Sequence, residues 1–317
     1  MLGTGVPAIF VHGSFGWGTD TFPEQGSLAD DYQVVLVDRR GFGDSTFADA
    51  EGWPADMHDL AELLEEIGPA HLVGQSYGAV VALLAAGLQP DRVLSLIAIE
   101  PPAFEVAAAD TAADKTTVAL KPVFERAKTL TAEEFITAWA LAQGRTREQL
   151  DAWIGSFGER DWAAVEASRH ERWPGDAPFQ FQVLRATRFP KLLVRGAWKP
   201  EVVGRDDAGK DFAAVCDRIA HQIGARVVVF EQSTHNPQLQ DQRRPDRLRA
   251  RRAGPRDEAG QTGRDGLAPD LGRPASHVGA CRAQRRSAAR TASGAKPPTA
   301  RPTAELETKN SPFANTP

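Results

Sequence analysis

Residues 71–78, His71-Leu-Val-Gly74-Gln-Ser76-Tyr-Gly78, contain the pattern Gly-x-Ser-x-Gly between a short apolar strand and a helix of small apolar residues. A chain that turns this sharply from strand to helix presents the serine hydroxyl at the sheet edge in a strained backbone conformation. Gly74 and Gly78 supply the side-chain-free space that lets the strand and the helix approach each other. Because Ser76 also precedes a helix N-terminus, where the helix dipole favours developing negative charge, we interpret it as a nucleophile.

Outward from this turn, short apolar runs alternate with helical patterns. Strands are predicted at Pro7–Val11, Gln33–Val37, His71–Val73, Val93–Ile99, Lys191–Arg195 and Arg226–Phe230, and helices at Asp56–Ile67, Ala79–Leu88 and Asp211–Ile223. Wholly apolar strands separated by helices are typical of a parallel sheet that is covered on both faces. The predicted fold class is therefore α/β, a mostly parallel sheet with helices on both faces.

A different pattern fills residues 103–187, where helical stretches dominate and four of the seven Trp residues fall. One helix is predicted over Thr131–Gln143, and its start carries the capping signal Thr131-x-x-Glu134. We predict that 103–187 is a helical insertion and that the core consists of residues 1–102 and 188–240.

Residues 241–317 differ again, with 16 Lys+Arg, 8 Asp+Glu and few large apolar side chains. Such a segment buries too little surface to offset the entropy of ordering, so we predict a disordered basic tail. Two hypotheses remain for it. The tail binds an acidic partner or nucleic acid, or it is the product of a reading-frame slip in a GC-rich gene.

The composition argues against several classes of protein, namely nucleic-acid-binding, secreted, membrane-spanning and zinc-binding proteins. The net charge of −5 favours no nucleic-acid partner for the core, and we see neither a secretory signal nor a membrane span, so a cytoplasmic protein is expected. Cys216 and Cys281 lack metal-ligand spacing, and neither a zinc site nor a disulfide framework is indicated. We expect a small-molecule substrate, no metal and no cofactor, and we leave a homodimer open.

A serine nucleophile needs a base, and His235 is the best candidate. It follows the predicted strand Arg226–Phe230, in Ser233-Thr-His-Asn-Pro. The carboxyl ends of parallel strands meet at one edge of the sheet, so the loop that holds His235 is expected to reach Ser76. The other histidines lie in helical patterns, strand starts, the insertion or the tail, and we interpret them as structural or solvated.

The third group should be a carboxylate that orients the imidazole. Glu100 ends the strand that follows the nucleophile's strand, and we favour it. After the later strand Lys191–Arg195, Lys199 stands where an acid would be sought, and Glu201 and Asp206 remain the alternatives.

An oxyanion needs backbone N–H donors. One is expected from Tyr77, directly after the nucleophile. The other is expected from the turn His12-Gly13-Ser14-Phe15, with Ser14 as first choice and Phe15 as second. The Gly-rich run here lacks the Gly-Lys-Ser/Thr ending of a phosphate-binding loop.

Together these motifs resemble the α/β-hydrolase superfamily over residues 1–240. The matching marks are Val11-His12-Gly13, the block Asp38-Arg-Arg-Gly-Phe-Gly-Asp-Ser45, the serine turn and the late Thr234-His-Asn-Pro. The resemblance implies a serine hydrolase with the order Ser, acid, His, and a structural role for the Asp38–Ser45 block. It implies that residues 103–187 are a cap over the site, and it is consistent with an acid at Glu100, where certain haloalkane dehalogenases carry theirs.

The chain also departs from the family pattern. N-terminal edge strands are expected to be missing, and Asn236–Gln242 leads into the basic tail where a closing helix is usual. The implied reaction is hydrolysis of a small or medium apolar carboxylic ester through an acyl-enzyme. A carbon–carbon bond hydrolase, a cofactor-free haloperoxidase-like enzyme and a non-catalytic ligand-binding relative stay open as alternatives.

Overall fold

The computed structural model describes residues 1–46, 52–200 and 209–240, and the strands found there form one parallel sheet. In chain order they are β1 (Val6–Val11), β2 (Tyr32–Val37), β3 (Ala70–Gln75), β4 (Val93–Ile99), β5 (Lys191–Gly196) and β6 (Arg226–Phe230). Their spatial order is β2-β1-β3-β4-β5-β6, and every neighbouring pair is parallel. The predicted α/β class is confirmed, with each predicted strand present.

Helices connect the strands. They are α1 (Gly18–Thr21), α2 (Trp53–Ile67), α3 (Tyr77–Leu88), α4 (Thr111–Arg126), α5 (Ala132–Ala142), α6 (Arg147–Ile154), α7 (Glu159–Ser168), α8 (Phe181–Ala186), α9 (Lys210–Ile223) and α10 (Pro237–Gln240). Short 3₁₀ turns lie at Gln25–Asp30, Pro90–Arg92, Phe104–Ala107, Ala127–Thr129 and Pro174–Asp176. None of the described helices combines the length and the apolar character that a membrane span needs. The single turn α10 differs from the sequence prediction, which has no helix there.

Between β4 and β5 the structure contains α4 to α8, and we call residues 103–187 the helical segment. Its helices begin where the sequence supplies caps. At the start of α5 the Thr131 hydroxyl accepts the Glu134 N–H at 3.2 Å, and the Glu134 carboxylate accepts the Thr131 N–H at 2.8 Å. The division of the chain into core, cap and tail stays a prediction, and the tail 241–317 lies outside the described residues.

The core lies between α3 and one face of the sheet. Every residue of α3 from Tyr77 to Gly87 is buried, which follows from its lack of a polar face. Ile9, Leu72, Leu96 and Leu193 come from four neighbouring strands of the sheet, and they are at most 1% exposed. This packing fixes the helix that follows the serine against the middle of the sheet.

The opposite face of the sheet carries an apolar groove of about 490 Å³, lined among others by Phe10, Val73, Ile97 and Val228. At the β2 edge, Leu2 forms an antiparallel bridge with Val34. Among the described strands, β2 is the last on this side of the sheet.

Two glycines set how closely β3, α3 and β1 approach. A Cβ added at Gly74 would lie 2.3 Å from the Gly78 carbonyl oxygen, and one added at Gly78 would lie 2.2 Å from the Val11 carbonyl oxygen. Both distances are far below van der Waals contact, and the obstructing atoms are backbone. These positions therefore require glycine for steric reasons.

We predict that Gly78→Ala lowers the free energy of unfolding by about 2 kcal/mol or more, because overpacking against backbone costs more than alanine gains as a helix former. Gly26→Ala is the matched control. A Cβ at Gly26 would meet only Leu2 Cδ1, at 3.6 Å, and should change stability by less than about 0.5 kcal/mol. Denaturant midpoints measure both, and equal midpoints for the two variants would contradict the steric account.

Candidate active site

A cavity of about 570 Å³ opens at the carboxyl edge of the sheet. The residues after β1, β3 and β6 reach it, contributing Ser14, Ser76 and His235 among others. Its remaining wall mixes polar side chains, such as Gln143 and Arg145, with aromatic ones, many of which come from the helical segment: Phe104, Phe124, Trp139, Trp153 and Trp173. The candidate catalytic residues therefore line a cavity with a substantial aromatic part.

Ser76 occupies the turn between β3 and α3 with φ 53° and ψ −123°. Such a conformation costs a non-glycine residue about 1–3 kcal/mol and persists only where its surroundings enforce it. Here the Ser76 N–H donates to the Ile99 carbonyl oxygen at 2.8 Å, and the Ser76 carbonyl accepts the Ala79 N–H at 2.9 Å. The strained turn that the sequence motif predicts is present.

His235 and Glu100 are in direct contact, with 2.7 Å between His235 Nδ1 and Glu100 Oε2. Glu100 is fully buried, whereas the His235 side chain is 28% exposed. With Nδ1 held by the carboxylate, Nε2 is the ring nitrogen left for proton transfer. The loop that holds His235 is also tied to the serine turn, since Gln75 Nε2 donates to Asn236 Oδ1 at 2.8 Å.

The residues that fix the carboxylate are not predicted from the sequence. Glu100 Oε1 accepts the Gly196 N–H and the Trp198 indole Nε1–H, each at 2.8 Å. The Trp198 ring stacks on Phe212, whose ring centroid lies 4.7 Å from that of His235. Trp198 follows β5 in the loop where the sequence suggests an acid, and no local pattern marks its indole as a donor to Glu100.

Of the three candidate acids, only Glu100 can be placed. Glu201 and Asp206 lie outside the described residues. Lys199, which stands where an acid was sought, forms an exposed ion pair with Glu231 at 2.9 Å. The assignment of Ser76, His235 and Glu100 to catalytic roles stays a prediction.

The candidate oxyanion donors lie beside the serine. A Cβ added at Gly13 would lie 2.7 Å from the Ser76 Cβ, so the turn after β1 abuts the nucleophile. Ser14 and Tyr77 both line the cavity. The Phe15 N–H is donated to Ser168 Oγ at 2.9 Å, which favours Ser14 over Phe15 as the donor.

Beneath this turn lies a buried ionic network that the sequence analysis did not identify. Arg39 is 3% exposed, and its guanidinium pairs with Asp56 at 2.8 Å and with Glu171 at 2.5 Å. The same guanidinium donates to the carbonyl oxygens of His12, at 3.1 Å, and Gly13, at 2.8 Å. Within the Asp38–Ser45 block, for which a structural role is expected, Arg39 is thus the residue that holds the turn after β1.

Burial alters the titration of the groups in this network. Burial raises the pKa of Glu171 to about 7, although the Arg39 charge opposes the shift. Burial and the charge of Arg39 lower the pKa of His12 well below its ordinary value, so His12 is neutral. Its Nδ1 then donates to the Gly13 carbonyl at 2.7 Å and its Nε2 accepts the Arg39 N–H at 3.0 Å.

Among the described residues, no group of three or more His, Cys, Asp or Glu side chains is arranged to hold a metal ion. Cys216 is buried beside Glu100, and burial raises the pKa of its thiol, so it is not a reactive thiolate.

A family model described as "Alpha/beta hydrolase family" matches residues 8–251. The dihydrolipoyllysine-residue acetyltransferase component of the acetoin cleaving system from Pseudomonas putida is 38% identical over 98 residues, which cover 29% of this chain and 26% of that protein. Esterase YbfF from Escherichia coli is 30% identical over 96 residues, which cover 30% of this chain and 38% of that protein. The chain thus spans well under half the length of these curated relatives.

A solved structure with a similar fold is an alpha/beta hydrolase from Sphaerobacter thermophilus, with a TM-score of 0.53 and 23% identity. The similarity covers 74% of this chain and 88% of that one. At this identity it supports the fold alone.

The raised pKa of Glu171 predicts a pH-dependent stability difference between wild type and Glu171→Gln. The folded protein holds the Glu171 proton up to about pH 7, whereas the unfolded chain, with an ordinary value of 4.5, releases it earlier. Wild type should therefore lose stability relative to Glu171→Gln as the pH rises from about 4.5 to about 7, by on the order of 3 kcal/mol. Thermal unfolding of both proteins from pH 5 to pH 8 measures this, and parallel curves would contradict it.

Proposed function

Because the chain belongs to the alpha/beta hydrolase family, we propose that it is a serine hydrolase whose catalytic triad is Ser76, His235 and Glu100. The observation that carries the proposal is the 2.7 Å contact between His235 Nδ1 and a fully buried Glu100 carboxylate, at a cavity that Ser76 also lines. A carboxylate held this way favours the tautomer with the proton on Nδ1, which leaves the Nε2 lone pair to accept the serine proton, and it stabilises the imidazolium that then forms.

The proposed reaction is acyl transfer in two steps. His235 Nε2 takes the Ser76 proton while Ser76 Oγ attacks the ester carbonyl, and the backbone N–H groups of Tyr77 and Ser14 bind the oxyanion. Collapse of this intermediate breaks the ester bond, and His235 gives the proton to the leaving alcohol. Water, deprotonated by His235, then attacks the acyl-enzyme and releases the acid and free Ser76.

The proposed substrate is a small or medium apolar carboxylic ester. The cavity of about 570 Å³ and its aromatic wall support this choice, since such walls bind apolar groups. The partial match to an esterase points in the same direction. In this proposal the helical segment is the cap that determines which acyl or alcohol groups enter.

We predict that a fluorophosphonate probe labels folded wild-type protein at Ser76, and that a p-nitrophenyl butyrate assay shows hydrolysis. Ser76→Ala should abolish the labelling and lower kcat by about 10⁴-fold or more, because the nucleophile is lost. Ser27→Ala, which removes an exposed serine outside the cavity, is the control and should match wild type. Intact-mass spectrometry gives the readout, and folded wild type that stays unlabelled would instead support a non-catalytic binding protein.

The contacts of Glu100 generate a second prediction. Glu100→Gln puts an amide against His235 Nδ1, which favours the wrong imidazole tautomer and should lower kcat by about 10³- to 10⁴-fold. Trp198→Phe removes one of the two donors to Glu100 Oε1 and should lower kcat by roughly 10-fold, the Gly196 N–H remaining. Trp162→Phe, a tryptophan outside the cavity lining, is the control. Unchanged kcat in Glu100→Gln would remove Glu100 from the triad.

A further inference from the structure

The helical segment contacts the turn after β1 at two consecutive residues. Glu171 Oε2 accepts the Ser14 hydroxyl hydrogen at 2.5 Å, and Ser168 Oγ accepts the Phe15 N–H at 2.9 Å. Ser168 is fully buried and Glu171 is 4% exposed, so water does not compete for these hydrogen bonds. Side chains that lie more than 150 residues away in sequence thus hold the turn from which Ser14 is proposed to donate its N–H.

The same turn is held from the other side by Arg39, which donates to the carbonyl oxygens of His12 and Gly13. Arg39 also pairs with Glu171 Oε1, so one carboxylate connects the two sets of contacts. Each Glu171 oxygen has a different partner, the guanidinium for Oε1 and the Ser14 hydroxyl for Oε2. The orientation of Ser14 therefore depends on a carboxylate that Arg39 fixes in place.

Phe15 shows that the turn is held under strain. Its φ of 62° lies in the left-handed region, which side-chain-bearing residues seldom adopt. Its ring packs into the aromatic cluster of the helical segment, 4.7 Å from Trp139 and 6.1 Å from Phe135 between centroids. The helical segment thus supplies the hydrogen bond from Ser168 and the aromatic packing that contact Phe15, the residue directly after Ser14.

We propose that Glu171 is a positioning residue that directs the Ser14 N–H at the oxyanion by accepting the Ser14 hydroxyl hydrogen. The inference rests on the proposed acyl-transfer function. It gives the helical segment a second role besides substrate selection, the orientation of an oxyanion donor. Glu171 contacts no reacting atom. It acts through Ser14, and removing its contact should weaken binding of the transition state while leaving binding of the ester unchanged.

Ser14→Ala and Glu171→Gln test the pair, since Ser14→Ala keeps the backbone N–H and removes only the hydroxyl. At pH 8, above the Glu171 pKa of about 7, each should lower kcat for p-nitrophenyl butyrate by about 10-fold with KM within 2-fold. This is less than the 10²- to 10³-fold that follows complete loss of an oxyanion donor. The double variant should fall no further than either single variant, because both break the same contact. A boronic acid that mimics the tetrahedral state should lose affinity by the same factor as kcat/KM, while butyrate binding stays unchanged.

Glu166→Gln is the matched control, because Glu166 is a more exposed carboxylate on α7 that pairs with Arg169. It should keep wild-type kcat and boronic acid affinity. If Glu171→Gln fails to fold, as thermal unfolding will show, Ser14→Ala alone decides.

Wild-type kcat in Ser14→Ala, an effect confined to KM, or multiplicative losses in the double variant would overturn the inference while leaving the proposed hydrolase intact. A folded wild type that neither hydrolyses the ester nor reacts with the fluorophosphonate probe would overturn the proposed function itself, and the inference with it.

Discussion

The close approach of β1, β3 and α3 around Ser76 is the constraint on which the site depends. Backbone atoms meet where a Cβ at Gly78 would lie 2.2 Å from the Val11 carbonyl oxygen, so the helix starts directly against the neighbouring strand. This contact brings the N-terminus of α3 beside the turn after β1. The two proposed oxyanion donors, Tyr77 and Ser14, come from these two elements and could not share one cavity if the backbones were farther apart.

The position of Glu100 follows from the strand order. Its strand, β4, lies between β3, which ends at the serine turn, and β5, whose end supplies the Gly196 N–H. A buried carboxylate is costly unless its oxygens are hydrogen-bonded, and Glu100 has three partners: an imidazole, a backbone N–H and an indole N–H. An acid at the end of β4 is therefore stable here because the residues after β5 donate to it, through the Gly196 N–H and the Trp198 indole.

The sequence predicts the sheet and the serine turn because each depends on local pattern and on one rule of topology, whereas the choice of Glu100 as the acid stays a prediction. Apolar runs mark the strands, Gly-x-Ser-x-Gly marks the turn, and parallel strands bring their carboxyl ends together. Trp198 escapes prediction because nothing local distinguishes an indole that donates to a carboxylate from one that fills space. Arg39 and Glu171 escape for another reason, since 132 residues separate them and only the folded chain shows that they meet.

The Arg39 network also explains why the helical segment cannot be treated as an independent lid. One buried guanidinium donates to two buried carboxylates, Asp56 and Glu171, so withdrawing Glu171 leaves a guanidinium N–H of the 3% exposed Arg39 without its acceptor. Asp56 belongs to α2 of the sheet region, whereas Glu171 follows α7 of the helical segment. Any movement that withdrew Glu171 would break its ion pair with Arg39 and, at the same time, its hydrogen bond with the Ser14 hydroxyl. The contacts that stabilise the helical segment against the sheet region are thus the same contacts that orient the turn beside the nucleophile.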